Sequence, residues 1–344
     1  MKKKIFFLAV LCFAALGYVF NEDPTFTFAF KSSQVKSTVE QLQVREQPAR
    51  TFEVYEYNTL LKSFGTFEEA VNYARQHTHA SVRKKQGDEL WNNYGPFIVY
   101  TNGRYASDFS TYKEALSYAR KAKSAAIYTH IDHLLIWNSG DPLKGSAQVD
   151  APLLSQLPEL PRGCEVTSLA MLLGSAGIQV DKMTLANEVA RDTTPYTQEN
   201  GQVYFGNPNT GFVGSMTSLD DPGFGVFHGP IKDLAEKYLP NRIVDLTGIG
   251  FSDILYQIQK GRPVWIISNA EFVPLDDSYF QTWDTPTGKI STTYKEHSVL
   301  LTGYDDSYVY FNDPLAGVKN RRMPLPSFKA AWEQMGSQAI TYIK

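Results

Sequence analysis

The chain repeats itself. FEVYEYNTLLKSFGTFEEAVNYAR, beginning at Phe52, returns as FIVYTNGRYASDFSTYKEALSYAR, beginning at Phe97. The offset is 45 residues throughout, pairing Val54 with Val99, Phe64 with Phe109, Thr66 with Thr111 and Arg75 with Arg120. Two copies of one pattern must fold as two copies of one unit. Phe-x-Val-Tyr predicts a short strand, and Asn102-Gly103 predicts a hairpin turn. Thr66 and Thr111 are each followed three residues on by Glu69 and Glu114, the spacing of a capping box. Phe67, Ala70, Val71 and Ala74 then share one helical face, as do Tyr112, Ala115, Leu116 and Ala119. ASVRKK and SAAIYTH close the copies as β-like segments, and ELWNN and LIWNS match beyond them with one extra residue in the second copy. These features predict two small tandem ββαβ-type repeats, at 51–95 and 96–140, with a binding or spacing role. His77, His79, His130 and His133 fall at their ends and are expected to be solvated loop residues. No consistent Cys or carboxylate partner set makes them a metal site.

Upstream, MKKKIFFLAVLCFAALGYVF places three lysines before an apolar run from Ile5 to Phe20. This is the layout of a signal peptide or signal anchor over 1–20. No clean small-x-small cleavage site follows, which favours an anchor. Cys12 follows Leu11 rather than a small residue, which argues against a lipoprotein signal. Residues 21–50 are polar with weak periodicity and read as a linker or stalk. The expected location is extracytoplasmic, membrane-anchored or secreted, with the membrane reached through the N-terminal segment only. A net charge of −3 gives no basic excess for nucleic acid.

SGDPLKGSA, 139–147, reads as an interdomain linker before a last domain over 148–344. That domain holds Cys164, and the only other cysteine is Cys12. An exported part with one cysteine forms no intrachain disulfide, and its thiol meets an oxidising environment. In LPELPRGCEVTSLAMLL, Pro158, Pro161 and Gly163 bar a helix upstream, and Val166, Leu169, Ala170 and Leu173 form an apolar stripe downstream. Cys164 is therefore expected at a helix N-terminus, where unpaired N–H groups and the helix dipole favour a thiolate. Gly163 is expected to let a substrate backbone approach, and Glu165 to serve as a cap or a substrate contact.

A nucleophilic cysteine needs a base. His228 and His297 lie outside the repeats. His228, in GVFHGPI, shows no acidic partner in the sequence and reads as a loop residue bordering the cleft. His297 opens KEHSVLLTGYDDSYVYFNDPLAG. Val299 and Leu301 alternate on one strand, Asp305-Asp306 makes a turn, and Val309 and Phe311 alternate on the return strand. This hairpin brings His297 to within about one residue of facing Asp313, the arrangement that fixes an imidazole's tautomer. The Cys164 N–H can supply one oxyanion donor, and Gln156 is the amide upstream that can supply a second. Trp265 reads as part of a buried strand. The irregular stretch 270–290, with Tyr279 and Trp283 as contacts, and NPNTGFVGSM at 207–216 are expected to wall the cleft.

Taken together, SQLPELPRGCEVTSLAMLL, GNPNTGFVG, GFGVFHGPI, GRPVWIIS and EHSVLLTGYDDSYVYFNDPLAG resemble the bacterial C39-like cysteine peptidases. The resemblance covers roughly 148–344, with the blocks in order. It implies an α+β chain with a papain-like cysteine peptidase domain preceded by the two repeats. It implies Cys164 as nucleophile, His297 as general base and acid, Asp313 as its orienting partner, and Gln156 as the oxyanion residue. The 133-residue Cys-to-His interval is longer than in the bacteriocin-leader peptidases of this superfamily, and their fused transporter has no counterpart in the chain.

The expected activity is amide hydrolysis of a peptide or protein substrate, without metal or organic cofactor. Two alternatives remain at this level. The same fold serves peptidoglycan amidases, endopeptidases and acyltransferases. The repeats, holding a cell-envelope ligand, could instead make the chain an adhesion or scaffold protein with an idle thiol domain.

Overall fold

Each copy of the repeat builds a four-stranded antiparallel sheet with one helix against it. The computed structural model describes residues 51–344, so the expected signal segment and stalk lie outside the described residues. In the first copy the strands are Phe52–Glu56, Thr59–Phe64, Ala80–Lys84 and Glu89–Asn92, with helix α1 over Phe67–Ala74. In the second they are Phe97–Thr101, Arg104–Phe109, Ala125–Thr129 and Leu135–Asn138, with helix α2 over Tyr112–Ala119. The fourth strand of each copy is formed by the ELWN and LIWN segments, so the ββαβ pattern gains one edge strand. Thr66 and Thr111 accept the N–H groups of Glu69 and Glu114 at 3.3 and 3.2 Å, as their spacing requires. Asn102 and Gly103 both take positive φ in the tight turn.

A clasp joins the two copies. Asp108, 3% exposed, accepts hydrogen bonds from Gly95 N–H and the Tyr105 hydroxyl and faces His79 Nδ1 at 2.7 Å. His79 is stacked on Tyr57 at 4.7 Å between ring centres. His79 is therefore a partnered residue rather than the solvated loop histidine its polarity suggested. His133 likewise stacks on Tyr128 at 4.4 Å.

Beyond the repeats, the centre is a seven-stranded sheet. Its path runs Ile243–Asp245, Ala339–Tyr342, Val264–Asn269, Glu296–Tyr304, Tyr308–Asp313, Val318–Pro324, and every neighbouring pair is antiparallel. Ala147–Gln148 adds to the middle of this sheet against Gly303 and Tyr304. The strands of the middle are near-continuous apolar runs because both faces are covered. One face carries helix α3, Cys164–Ser175, with Leu169, Leu172 and Leu173 packed among Trp265, Ile267 and Leu300. Helices α4, Lys182–Glu188, and α5, His228–Tyr238, flank it. The other face carries α6, Phe251–Gln259, and α7, Leu325–Gln334, through Ile254, Phe251, Phe328 and Trp332 against Val264, Ile266, Val299 and Phe311.

The second repeat joins that second core. Tyr112, Leu116, Ile127 and Ile136 belong to the same apolar cluster as the α6 side chains. Around it, Arg120 pairs with the buried Asp253, and the buried Arg262 donates to the Ile136 carbonyl at 2.8 Å. The segment expected to be a linker is pinned down too. Lys144 N–H donates to Gln259 at 2.7 Å and its carbonyl accepts the Tyr304 hydroxyl at 3.0 Å.

Candidate active site

Cys164 is the first residue of α3, following Gly163, and is a free, buried thiol. The helix starts there because two prolines and a glycine precede it. The start has no side-chain cap, which leaves its first N–H groups without intrahelical partners. Gly163 is required by packing rather than by a substrate: a Cβ at this position would lie 2.5 Å from Leu160 Cβ.

His297 and Asp313 meet as the hairpin reading expected, but through a different register. Leu300 pairs with Asn312 and Gly303 with Tyr310, because a bulge between Leu301 and Gly303 shifts the ladder. Continuing that register sets Asp313 opposite Val299. His297 and Asp313 are then diagonal neighbours on one face, within reach of long side chains. His297 Nε2 lies 2.9 Å from Asp313 Oδ1, with both residues at most 2% exposed. The same oxygen accepts the N–H groups of Leu315 and Ala316, and Oδ2 accepts Arg321 at 2.7 Å. Burial alone would push the Asp313 carboxyl up. The His297 hydrogen bond and charge, the backbone donors and Arg321 outweigh it and hold the group well below the usual carboxylate range. An ionised Asp313 fixes the proton on Nε2 and leaves Nδ1 as the ring's free acceptor.

The sulfur has other neighbours. Its thiol donates to Glu165 Oε2 at 3.3 Å, and a backbone hydrogen bond from Ser298, the residue after His297, favours its thiolate. Among the described residues no hydrogen bond joins Cys164 to His297. Strand alternation explains this. Ser298 and Leu300 face α3, whereas His297 shares the opposite side with Val299 and Phe272. The expected thiolate at a helix N-terminus is also overridden at rest. Burial, then Glu165, then Glu296 push the Cys164 thiol well above its ordinary value.

Glu165 is fully buried and fully engaged. Oε1 accepts Val226 N–H at 2.7 Å, and its carbonyl accepts the Trp265 indole N–H at 2.9 Å. It does not cap α3, as one reading had it. Thiol and carboxylate oxygens of Cys164, Glu165 and Glu296 lie within 4.8 Å of one another. Thiolate and carboxylates suit a divalent ion, but both Glu165 oxygens already accept from the protein.

Two further expectations need correction. Gln156 donates from Nε2 to the Leu160 and Pro161 carbonyls, at 3.2 and 2.9 Å. Its amide N–H groups brace the turn before Cys164 and are not aimed at an oxyanion. Trp283 is 2% exposed, donates to the Gly206 carbonyl at 2.9 Å, and packs against Phe224. It is a core residue rather than a cleft contact. The sequence reading also missed the partner of His228, which opens α5 and faces Asp245 at 3.0 Å. That pairing spans 17 residues and leaves no local periodic signal.

The cysteine helix laid on an antiparallel sheet, with a His–Asp pair on adjacent strands, defines a papain-like peptidase fold. The Peptidase_C39 like family matches residues 148–340, and the chain belongs to that family. The chain is 52% identical over 210 residues to the uncharacterized Bacillus subtilis (strain 168) protein YvpB, covering 60% of this chain and 80% of that one. It is 49% identical to a Bacillus anthracis protein assigned to the C39-like peptidases and solved as a crystal structure. That match has a TM-score of 0.55 and covers 58% of this chain and 98% of that one.

Proposed function

We propose that the protein is an exported cysteine peptidase that hydrolyses amide bonds through Cys164, His297 and Asp313. The observation that carries this reading is the buried His297–Asp313 pair, one residue along the strand from the Ser298 backbone that reaches the sulfur. At rest His297 lies on the Phe272 side of the sheet, so the reaction requires the start of the 296–304 strand to shift and bring Nδ1 to the sulfur as the thiol leaves Glu165; Nδ1 then takes the thiol proton. The sulfur then attacks the substrate carbonyl, and the Cys164 N–H at the open helix start steadies the oxyanion. The imidazolium protonates the leaving amine, and water, with its proton taken by His297, cleaves the thioester. Asp313 stabilises the charged ring throughout.

Casein and purified cell wall separate the substrate classes. Release of peptides from casein by the full chain, absent in Cys164→Ala, supports the peptidase reading. Release of amines from cell wall alone moves the protein to the amidase or endopeptidase alternative. Cleavage of neither, with an unreactive thiol, favours the scaffold reading.

One observation supports a ligand-binding role for the repeats beside catalysis. On the second sheet, Tyr100 meets Tyr128 and His133, each at 5.5 Å, and the cavity there of about 320 Å³ also includes Asn102 and Asn138. Aromatic faces rimmed by amides suit an envelope glycan. Co-sedimentation with cell wall, lost in Tyr100→Ala combined with Tyr128→Ala, tests this role independently of Cys164.

A further inference from the structure

Cys164 shares its pocket with two acids that the peptidase chemistry does not use. Glu165 grips the thiol with one oxygen and is itself gripped by Val226 N–H through the other. Glu296 stands across from it at the start of the 296–304 strand, with a buried Oε1 that has no partner. Gly225 closes the pocket. A Cβ there would lie 2.3 Å from Glu165 Oε1 and 3.1 Å from Glu296 Oε2, so the backbone is fitted around both carboxyl groups.

We propose that Glu165 is a positioning residue that holds Cys164 as a neutral thiol in the resting protein. Glu296 is its charge partner, and the thiol is released from Glu165 for ionisation when the acid pair is neutralised. The inference rests on reading Cys164 as the nucleophile. Two carboxylates this close, out of water, do not both stay charged. Burial raises Glu165 to about 7, and burial with Glu165 opposite raises Glu296 well above its ordinary value. The pair therefore changes charge near neutral pH. While it is charged, a thiolate beside it is repelled and the thiol hydrogen bond to Glu165 is kept. When it takes up its full complement of protons, the repulsion ends. The groups facing the sulfur are Glu165 from α3, and Glu296 and the Ser298 N–H from the strand. The loop at 225–226 contributes a backbone donor and no side-chain charge.

The test is the alkylation rate of Cys164 by iodoacetamide against pH, in the full chain, with Cys164 followed apart from Cys12 by site-resolved mass spectrometry. Glu165→Gln keeps an acceptor for Val226 N–H and removes the charge. It is expected to react about tenfold faster than the unmodified chain near pH 8, where the parent pair still carries charge, its profile moving about one unit toward acid. Glu296→Gln is expected to move the same way. A Glu165→Gln profile that coincides with the parent, or runs slower, overturns the proposal. Should that variant fail to fold by circular dichroism, Glu296→Gln decides alone, and an unmoved profile there is equally fatal. Adding His297→Ala to Glu165→Gln separates the two readings. Loss of the gained reactivity supports both. Its retention sinks the Cys–His mechanism while leaving the hold by Glu165 in place.

Discussion

His297 and Asp313 are joined diagonally across two strands, Nε2 to Oδ1 at 2.9 Å, because a bulge moves the ladder between them. The pair is thereby fixed by sheet geometry rather than by a loop. His297→Ala is expected to lower turnover by roughly 10²–10⁴-fold, the range for a lost general acid–base. The comparison requires matched melting curves. An unchanged rate would remove His297 from the mechanism.

Asp313 gives a pH signature in stability. Its folded-state pKa is depressed, so its contribution is present above the unfolded value of about 3.9 and is lost as pH falls toward the lower folded value. Asp313→Asn should cost about 3–5 kcal/mol at pH 7, as for one partner removed from a buried pair. Urea unfolding of both proteins at pH 7 and pH 3 should show that difference shrinking in acid. A constant difference would mean that packing, not charge, holds the site.

Gln156 is predicted to act on stability more than on rate. Removing an oxyanion donor costs roughly 10²–10³-fold in turnover. Gln156→Ala is instead expected to lose about 1–3 kcal/mol of stability, from two orphaned carbonyls, with turnover reduced less than tenfold. Chemical denaturation alongside steady-state kinetics distinguishes the two roles, and a rate loss at unchanged stability would restore the oxyanion assignment.

Arg120 tests the join between the second repeat and the peptidase unit. Its partner Asp253 is buried, with Oδ2 unpartnered, and burial already raises its pKa despite the guanidinium. Arg120→Ala is expected to destabilise by about 1–3 kcal/mol at pH 7. With the arginine gone the folded pKa rises further, so the deficit should shrink as pH falls and Asp253 protonates. A deficit that is equal at pH 4 and pH 7 would count against the pairing.

The sequence made the local structure legible and the lateral contacts much less so. Thr66, Thr111 and the glycine and prolines before Cys164 act on the backbone within a few residues, so their effects could be read directly. The His297–Asp313 meeting was legible because one turn fixes a hairpin, although the bulge at Leu301 left no composition signal. Glu165 was singled out only for standing beside Cys164. Nothing local indicates that Val226, 61 residues on, would donate to it, or that Glu296 would face it. Trp283 was misjudged because an irregular stretch rich in aromatics resembles a cleft wall, whereas here it forms a paired strand packed into the core.

The apolar cluster shared by Tyr112, Leu116, Ile127 and Ile136 with the α6 side chains bears on where this protein can be cut. A polypeptide begun at residue 145 would present that side of α6 to water and strand Arg262 without its Ile136 acceptor. Its insolubility or slack behaviour would then say nothing about catalysis. The piece that keeps this interior closed begins before Phe97, and the piece that also keeps the clasp of His79 and Gly95 on Asp108 includes the first repeat.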